Sequence, residues 1–236
     1  MMAYILQTTK LSRDFGELRA VSNVNLRIER GTAVGLVGPN GAGKTTLFNL
    51  ISGFITPSSG KILLEGEDIT DWTVSRRVSA GITRTFQKTR VFPGLTVKEN
   101  VLTATYSSDN NKMFRVATRD IEEKVVSQME NFPLKSILEA TNLEDYMEEP
   151  ARNLSYGYKQ RLELAIALAT NPKVLLLDEP FSGTHVGDLQ ILAEILKVLR
   201  DTGLTVILVE HDLASVVNLV DRIVYMKGGR LKIPDE

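Results

Sequence analysis

The chain has no cysteine among its 236 residues. That removes disulfides and thiol chemistry, and it fits a reducing compartment. Neither sign of charge is in excess: 28 Lys and Arg stand against 29 Asp and Glu, a net charge of −1. No bulk basic field is available to draw in nucleic acid or anionic lipid, so no nucleic-acid partner is expected. Long apolar runs are missing as well. Leu204–Val209 and Val174–Leu177 are strand-sized, far short of the roughly 20 residues a membrane-spanning helix needs. Met1 to Lys10 shows no basic stretch followed by an apolar core, so no secretory signal is expected. Internal repeats and low-complexity segments are absent too. What is present is an ordinary balance of 43% hydrophobic and 24% charged residues, in a chain long enough to bury a real core. A soluble, cytoplasmic protein is expected.

The segment Gly38-Pro39-Asn40-Gly41-Ala42-Gly43-Lys44-Thr45-Thr46 fits G-x-x-x-x-G-K-[ST]. A strand-like run, Thr32 to Val37, leads into it, and an apolar helix-like stretch, Leu47 to Ile51, follows. Glycines there let successive backbone N–H groups turn inward, and a helix starting near Lys44 aims its positive end at the same spot. Lys44 is expected to reach the outer phosphates of a nucleotide, and Thr45 to offer its hydroxyl to Mg²⁺.

Around this loop the chain divides into zones. Up to about residue 85, short strands are expected. Val24, Leu26 and Ile28 alternate with polar residues, and Lys61–Leu64 runs between Gly60 and the turn Glu65-Gly66. From about 88 to 170 the spacing is helical, as in Ile121, Val125 and Met129, then Leu162, Ala165, Ile166 and Ala169. Asp109-Asn110-Asn111 reads as a polar loop within it. From Lys173 onward strands alternate with helices expected over Asp188–Leu199 and Leu213–Val220, the rhythm of a parallel sheet with crossover helices.

The apolar strand Val174–Leu177 ends in Asp178 and Glu179, and ligands on open α/β sheets gather at the carboxyl ends of strands. Asp178 is placed to hold a metal shell opposite Thr45, and Glu179 to polarise an attacking water. Ser155 is a good N-cap for the helical run that Leu154–Gln160 opens, and Gly157 keeps its first turn open to an anion. Gln87 sits at the joint between the strand-rich and helical zones. His211 follows the strand Thr205–Val209.

The order of these elements resembles the ATP-binding-cassette (ABC) ATPases over essentially the whole chain. Gly38–Thr46 is similar to Walker A, Gln87 to the Q-loop glutamine, Leu154–Gln160 to the signature, Val174–Glu179 to Walker B, and His211 to the switch histidine. Phe15 lies at the place of the adenine-stacking aromatic. The resemblance implies an α/β P-loop NTPase fold of ABC type. Its core would be a mixed or parallel sheet (1–87 and 171–236) with an antiparallel β subdomain, and 88–170 would form an inserted helical subdomain. It implies ATP and Mg²⁺ as cofactors, with Thr45, Gln87 and Asp178 at the metal and Glu179, His211 and Gln87 in catalysis. ATP would be sandwiched between the Lys44 of one subunit and Ser155, Tyr156 and Gly157 of another, in a homodimer or heterodimer.

Arg84-Thr85-Phe86-Gln87, Leu95–Asn100 and Ser155-Tyr156-Gly157 are most similar to the importer ATPases for branched-chain amino acids. That similarity implies separate permease subunits, an extracytoplasmic solute-binding protein, and a location on the inner face of the cell membrane. Val91, Phe92, Pro93, Leu95 and Val97 are expected to form an exposed coupling surface. Some positions depart from the family pattern. His185 replaces the acid or amide of the D-loop, Tyr158 takes the place of the signature's usual glutamine, Ile166 stands where an arginine is common, and the chain stops short of a C-terminal helix. The competing readings are an ABC ATPase acting on DNA or ribosomes, an exporter of lipid or lipopolysaccharide, a nucleotide-gated assembly subunit, and a small-molecule P-loop kinase. The last would leave Ser155 and His211 without roles.

Overall fold

The computed structural model describes residues 4–85, 90–107, 134–182, 186–214 and 216–232. Two long strands open it, β1 (Tyr4–Phe15) and β2 (Leu18–Glu29), 12 residues each and paired antiparallel. The expectation of short strands here is corrected. Buried polar residues are satisfied across the pair: the Thr8 hydroxyl donates to the Val24 carbonyl at 3.0 Å and accepts the Leu26 N–H at 3.0 Å. Strand β3 (Ala33–Val37) is wholly buried and runs towards helix α1 (Lys44–Ser52). Strands β4 (Ser59–Leu64) and β5 (Glu67–Asp68) complete an antiparallel sheet of order β2-β1-β4-β5. Helix α2 (Val74–Ser79) and strand β6 (Ile82–Arg84) close this first part.

Helices follow: α3 (Val97–Ser107), α4 (Leu134–Ala140) and α5 (Tyr156–Ala169). Ile121, Val125, Met129 and the loop Asp109–Asn111 lie outside the described residues. Strand β7 (Val174–Asp178), helix α6 (Val186–Asp201), and strands β8 (Thr205–Glu210), β9 (Arg222–Lys227) and β10 (Arg230–Lys232) end the chain. The second sheet has the order β10-β9-β3-β8-β7-β6, parallel throughout except for β10 against β9.

Both faces of this larger sheet are covered, which is why β3, β7 and β8 are apolar without alternation. Leu175, Leu177, Val206 and Leu208 face a core shared with α3, α4, α5 and α6. Val174, Leu176, Ile207 and Val209 face a second core built with α1 and the antiparallel sheet. Each such side chain contributes about 1.5–3 kcal/mol when fully buried, so a one-residue slip that swapped the faces would be costly.

The helix expected over Leu213–Val220 is not formed; the described residues there make consecutive turns. Val216 and Val217 both donate to the Leu213 carbonyl, and Leu219 donates to Val216. β-Branched Val216, Val217 and Val220 disfavour a regular helix. The segment is also tied at its end to β3, where Ala33 N–H donates to the Asp221 carboxylate at 2.8 Å and Asp221 N–H donates back to the Ala33 carbonyl at 2.8 Å.

Candidate functional site

Strands β3, β8 and β7 lie side by side, and their carboxyl ends are level: Val37 pairs with Glu210, and Val209 with Asp178. The loop from Gly38, the Asp178-Glu179 pair and His211 therefore emerge together, although they are far apart in sequence.

The loop 38–43 is fixed by its backbone. A Cβ on Gly38 would sit 2.1 Å from the Met226 carbonyl, and one on Gly43 would sit 2.4 Å from the Ala20 carbonyl, with φ at +102°. Only glycine fits either place. Ala42 N–H turns back onto the Pro39 carbonyl at 3.1 Å, and the Ala42 carbonyl accepts the Gly229 N–H at 2.9 Å. Gly43 is the N-cap of α1 and has no side chain to satisfy the helix's first N–H groups, so they remain open to an anion. Pro39, Asn40, Gly41 and Thr45 are exposed, and Thr46 is half-buried at the helix start. The buried Lys44 ammonium donates to the Gly38 carbonyl at 2.6 Å and to Pro39 at 3.1 Å, holding its charge over the loop.

Asp178 is 5% exposed, and its carboxylate accepts from the Arg84 guanidinium at 2.6 Å. Arg84 was legible only as part of a four-residue pattern; its pairing with Asp178 joins β6 to β7 and has no local sequence signal. Glu179 takes φ +49°, the left-handed region, which is strained for a side chain that carries a Cβ. Neighbours hold it there. Its N–H donates to the Val209 carbonyl at 3.0 Å, its own carbonyl accepts the Ser182 N–H at 3.0 Å, and the Gln160 amide on α5 donates to the Pro180 carbonyl at 3.2 Å.

Glu210 carries no motif that marks it in the sequence. It is 1% exposed, accepts the Phe181 N–H at 3.1 Å, and lies 3.5 Å from His211 Nδ1. Burial pushes its carboxyl above the usual carboxylate range, offset in part by the Phe181 N–H and His211, with Glu179 adding to the rise. His211 itself is exposed.

Phe15 is 45% exposed near the hairpin end, with the Arg13 guanidinium 4.7 Å from its ring centre. Ser155 caps α5 from extended backbone and accepts the Tyr158 N–H at 3.4 Å; Tyr156 is exposed and Gly157 buried in the first turn. Tyr158 packs on Tyr146, ring centres 4.3 Å apart, and lies under Arg161. Gln87 and His185 fall outside the described residues.

The expected apolar patch is smaller than the sequence suggested. Phe92 and Pro93 are exposed, but Val91 and Leu95 are half-buried and Val97 is fully buried at the start of α3. The buried Asn100 amide shapes this loop, donating to the carbonyls of Phe92, Leu95 and Thr96 and accepting the Phe92 N–H at 2.7 Å.

The family described as ABC transporter matches residues 21–182. The chain belongs to that family. The high-affinity branched-chain amino acid transport ATP-binding protein BraF of Pseudomonas aeruginosa is 36% identical over 231 residues, 95% of this chain and 89% of that protein. The structure resembles the ADP conformation of MJ1267, an ATP-binding cassette of an ABC transporter. The TM-score is 0.82 at 30% identity, covering 97% of this chain and 89% of that one. It also resembles the ATP-binding cassette MJ0796, solved as a dimer in a post-hydrolysis state with ADP and Pi, with a TM-score of 0.78 at 25% identity over 98% of this chain and 99% of that one. The ABC chain described here is thus an ATP-binding, ATP-hydrolysing transporter subunit on an α/β P-loop fold. No helix among its described residues is long and apolar enough to cross a membrane.

Proposed function

We propose that this ABC ATPase powers import of branched-chain amino acids, or a similar small polar solute, through separate permease subunits on the inner face of the cell membrane. An extracytoplasmic solute-binding protein would deliver the cargo. The observation that carries the cargo class is the 36% identity to BraF across 95% of the chain. We read 1–87 and 171–236 as its nucleotide-binding core and 88–170 as its helical subdomain.

In this reading Phe15 stacks on the adenine, and Gly38 to Thr46 wrap the phosphates with backbone N–H groups. The donor set suits Mg²⁺, since the Thr45 hydroxyl and the Asp178 carboxylate are hard oxygen ligands, and Gln87 completes the shell. Bound there, Mg²⁺ would supply charge neutralisation at the outer phosphates. Glu179 accepts a proton from the attacking water, and His211 orients the γ-phosphate from the neighbouring strand. Ser155, Tyr156 and Gly157 reach the ATP of a second subunit, so two chains close over two nucleotides.

The deciding experiment is purification of the native complex, with and without Phe92→Asp. Wild type should bring down permease subunits and drive leucine uptake in reconstituted vesicles. Phe92 is 56% exposed, so its replacement should leave basal ATP hydrolysis near wild type while abolishing co-purification. Recovery of permeases that carry a different solute would replace the cargo assignment, and loss of basal hydrolysis in the variant would move the docking surface elsewhere.

A further inference from the structure

Arg84 stands at the end of β6 and joins three parts of the site. One guanidinium nitrogen donates to Asp178 Oδ2 at 2.6 Å; the other donates to Asn49 Oδ1 at 2.6 Å and to Ser52 Oγ at 3.3 Å. The Arg84 and Asp178 side chains are only 6% and 7% exposed. Asn49 lies on α1 four positions after Thr45, and residues so spaced share a helix face. The same guanidinium therefore grips the face of α1 that carries the Thr45 hydroxyl and the carboxylate at the end of β7.

We infer that Arg84 is a positioning residue that sets the Asp178 carboxylate at a fixed place relative to Thr45 for a divalent cation bound with ATP. The inference rests on the reading of Asp178 as part of the metal shell. The planar fork fixes direction as well as charge, which a point charge cannot do. Its bond to Oδ2 pins one oxygen of the carboxylate and so limits how the group can rotate. Because Asn49 and Ser52 on α1 hold the guanidinium in place, Asp178 cannot turn away without breaking its bond to a donor anchored on the helix that follows the phosphate loop.

The test uses the full chain and titrates Mg²⁺ into protein holding a fluorescent, non-hydrolysable ATP analogue, so that binding rather than turnover is read. Loss of a partner that orients a metal ligand typically weakens metal affinity about 10–100-fold, and Arg84→Met is expected in that range. Arg84→Lys, which keeps the charge and loses the fork, should recover only part of the loss. In an Asp178→Asn background Arg84→Met should add little, because both act on one carboxylate. If Arg84→Met does not fold, as a melting curve will show, Asn49→Leu takes its place and should shift Mg²⁺ affinity in the same direction.

An unchanged Mg²⁺ affinity in folded Arg84→Met, or in its Asn49→Leu substitute, overturns the inference, as does a full additive loss in the double variant. If Asp178→Asn itself leaves Mg²⁺ affinity unchanged, the metal-shell reading of Asp178 fails instead.

Discussion

Glu179 combines strained backbone with the carboxylate proposed as general base, so stability and turnover there should separate. At an ordinary position alanine is more stable than glycine by roughly 0.4–1 kcal/mol, because glycine leaves the unfolded chain more freedom. At φ +49° an L-residue carries a left-handed penalty of roughly 1–2 kcal/mol that glycine escapes. The second effect exceeds the first. Glu179→Gly should therefore be more stable than Glu179→Ala by about 1 kcal/mol, near 2–4 °C in melting temperature for a chain of this size. Both variants lose the carboxylate, so ATP turnover should fall about 10²–10⁴-fold in each. Urea unfolding followed by circular dichroism reads the stability, and a phosphate-release assay reads the turnover. Alanine proving more stable than glycine would refute the strained turn. Turnover above about a tenth of wild type in either variant would move the base role, His211 being the next candidate.

Lys44→Ala removes the charge held over the phosphate loop. Charged hydrogen bonds contribute roughly 1.5–3 kcal/mol, so affinity for a fluorescent ATP analogue should fall at least about tenfold, measured by direct titration. Ser155→Arg should leave ATP binding by the monomer intact but abolish ATP-driven dimerisation, seen by gel filtration with light scattering; a normal dimer would dismiss the sandwich. Glu210→Gln keeps an acceptor for the Phe181 N–H and removes the buried charge. The folded carboxyl lies above its ordinary value, so the native state holds extra proton between the two values and wild-type stability falls as pH rises through that window. The variant should gain on wild type as pH rises from the ordinary carboxylate range through the raised folded value, read in urea melts, and a gap that shrinks would be contrary to a buried, destabilised carboxylate.

Loop, signature and strand-end acids were readable from the sequence because each is local. The glycines of 38–43, the N-cap Ser155 and the Val174–Asp178 run are patterns set by backbone sterics and burial within a few residues. The sequence by itself also determined the order of elements, and with it the family. Three things were decided only by tertiary structure. Leu213–Val220 has the spacing of a helix, yet its valines and the tie from Asp221 to β3 turn it into successive turns. Val97, which reads as surface next to Phe92, is buried because α3 packs on α5 and the sheet. Arg84 meets Asp178, and Glu210 meets Phe181, only because parallel pairing sets β6, β7 and β8 side by side, with β6 ending opposite Leu176 and β7 and β8 running on to Asp178 and Glu210. Such pairs are set by strand register across long stretches of chain, and no periodicity within either segment records them.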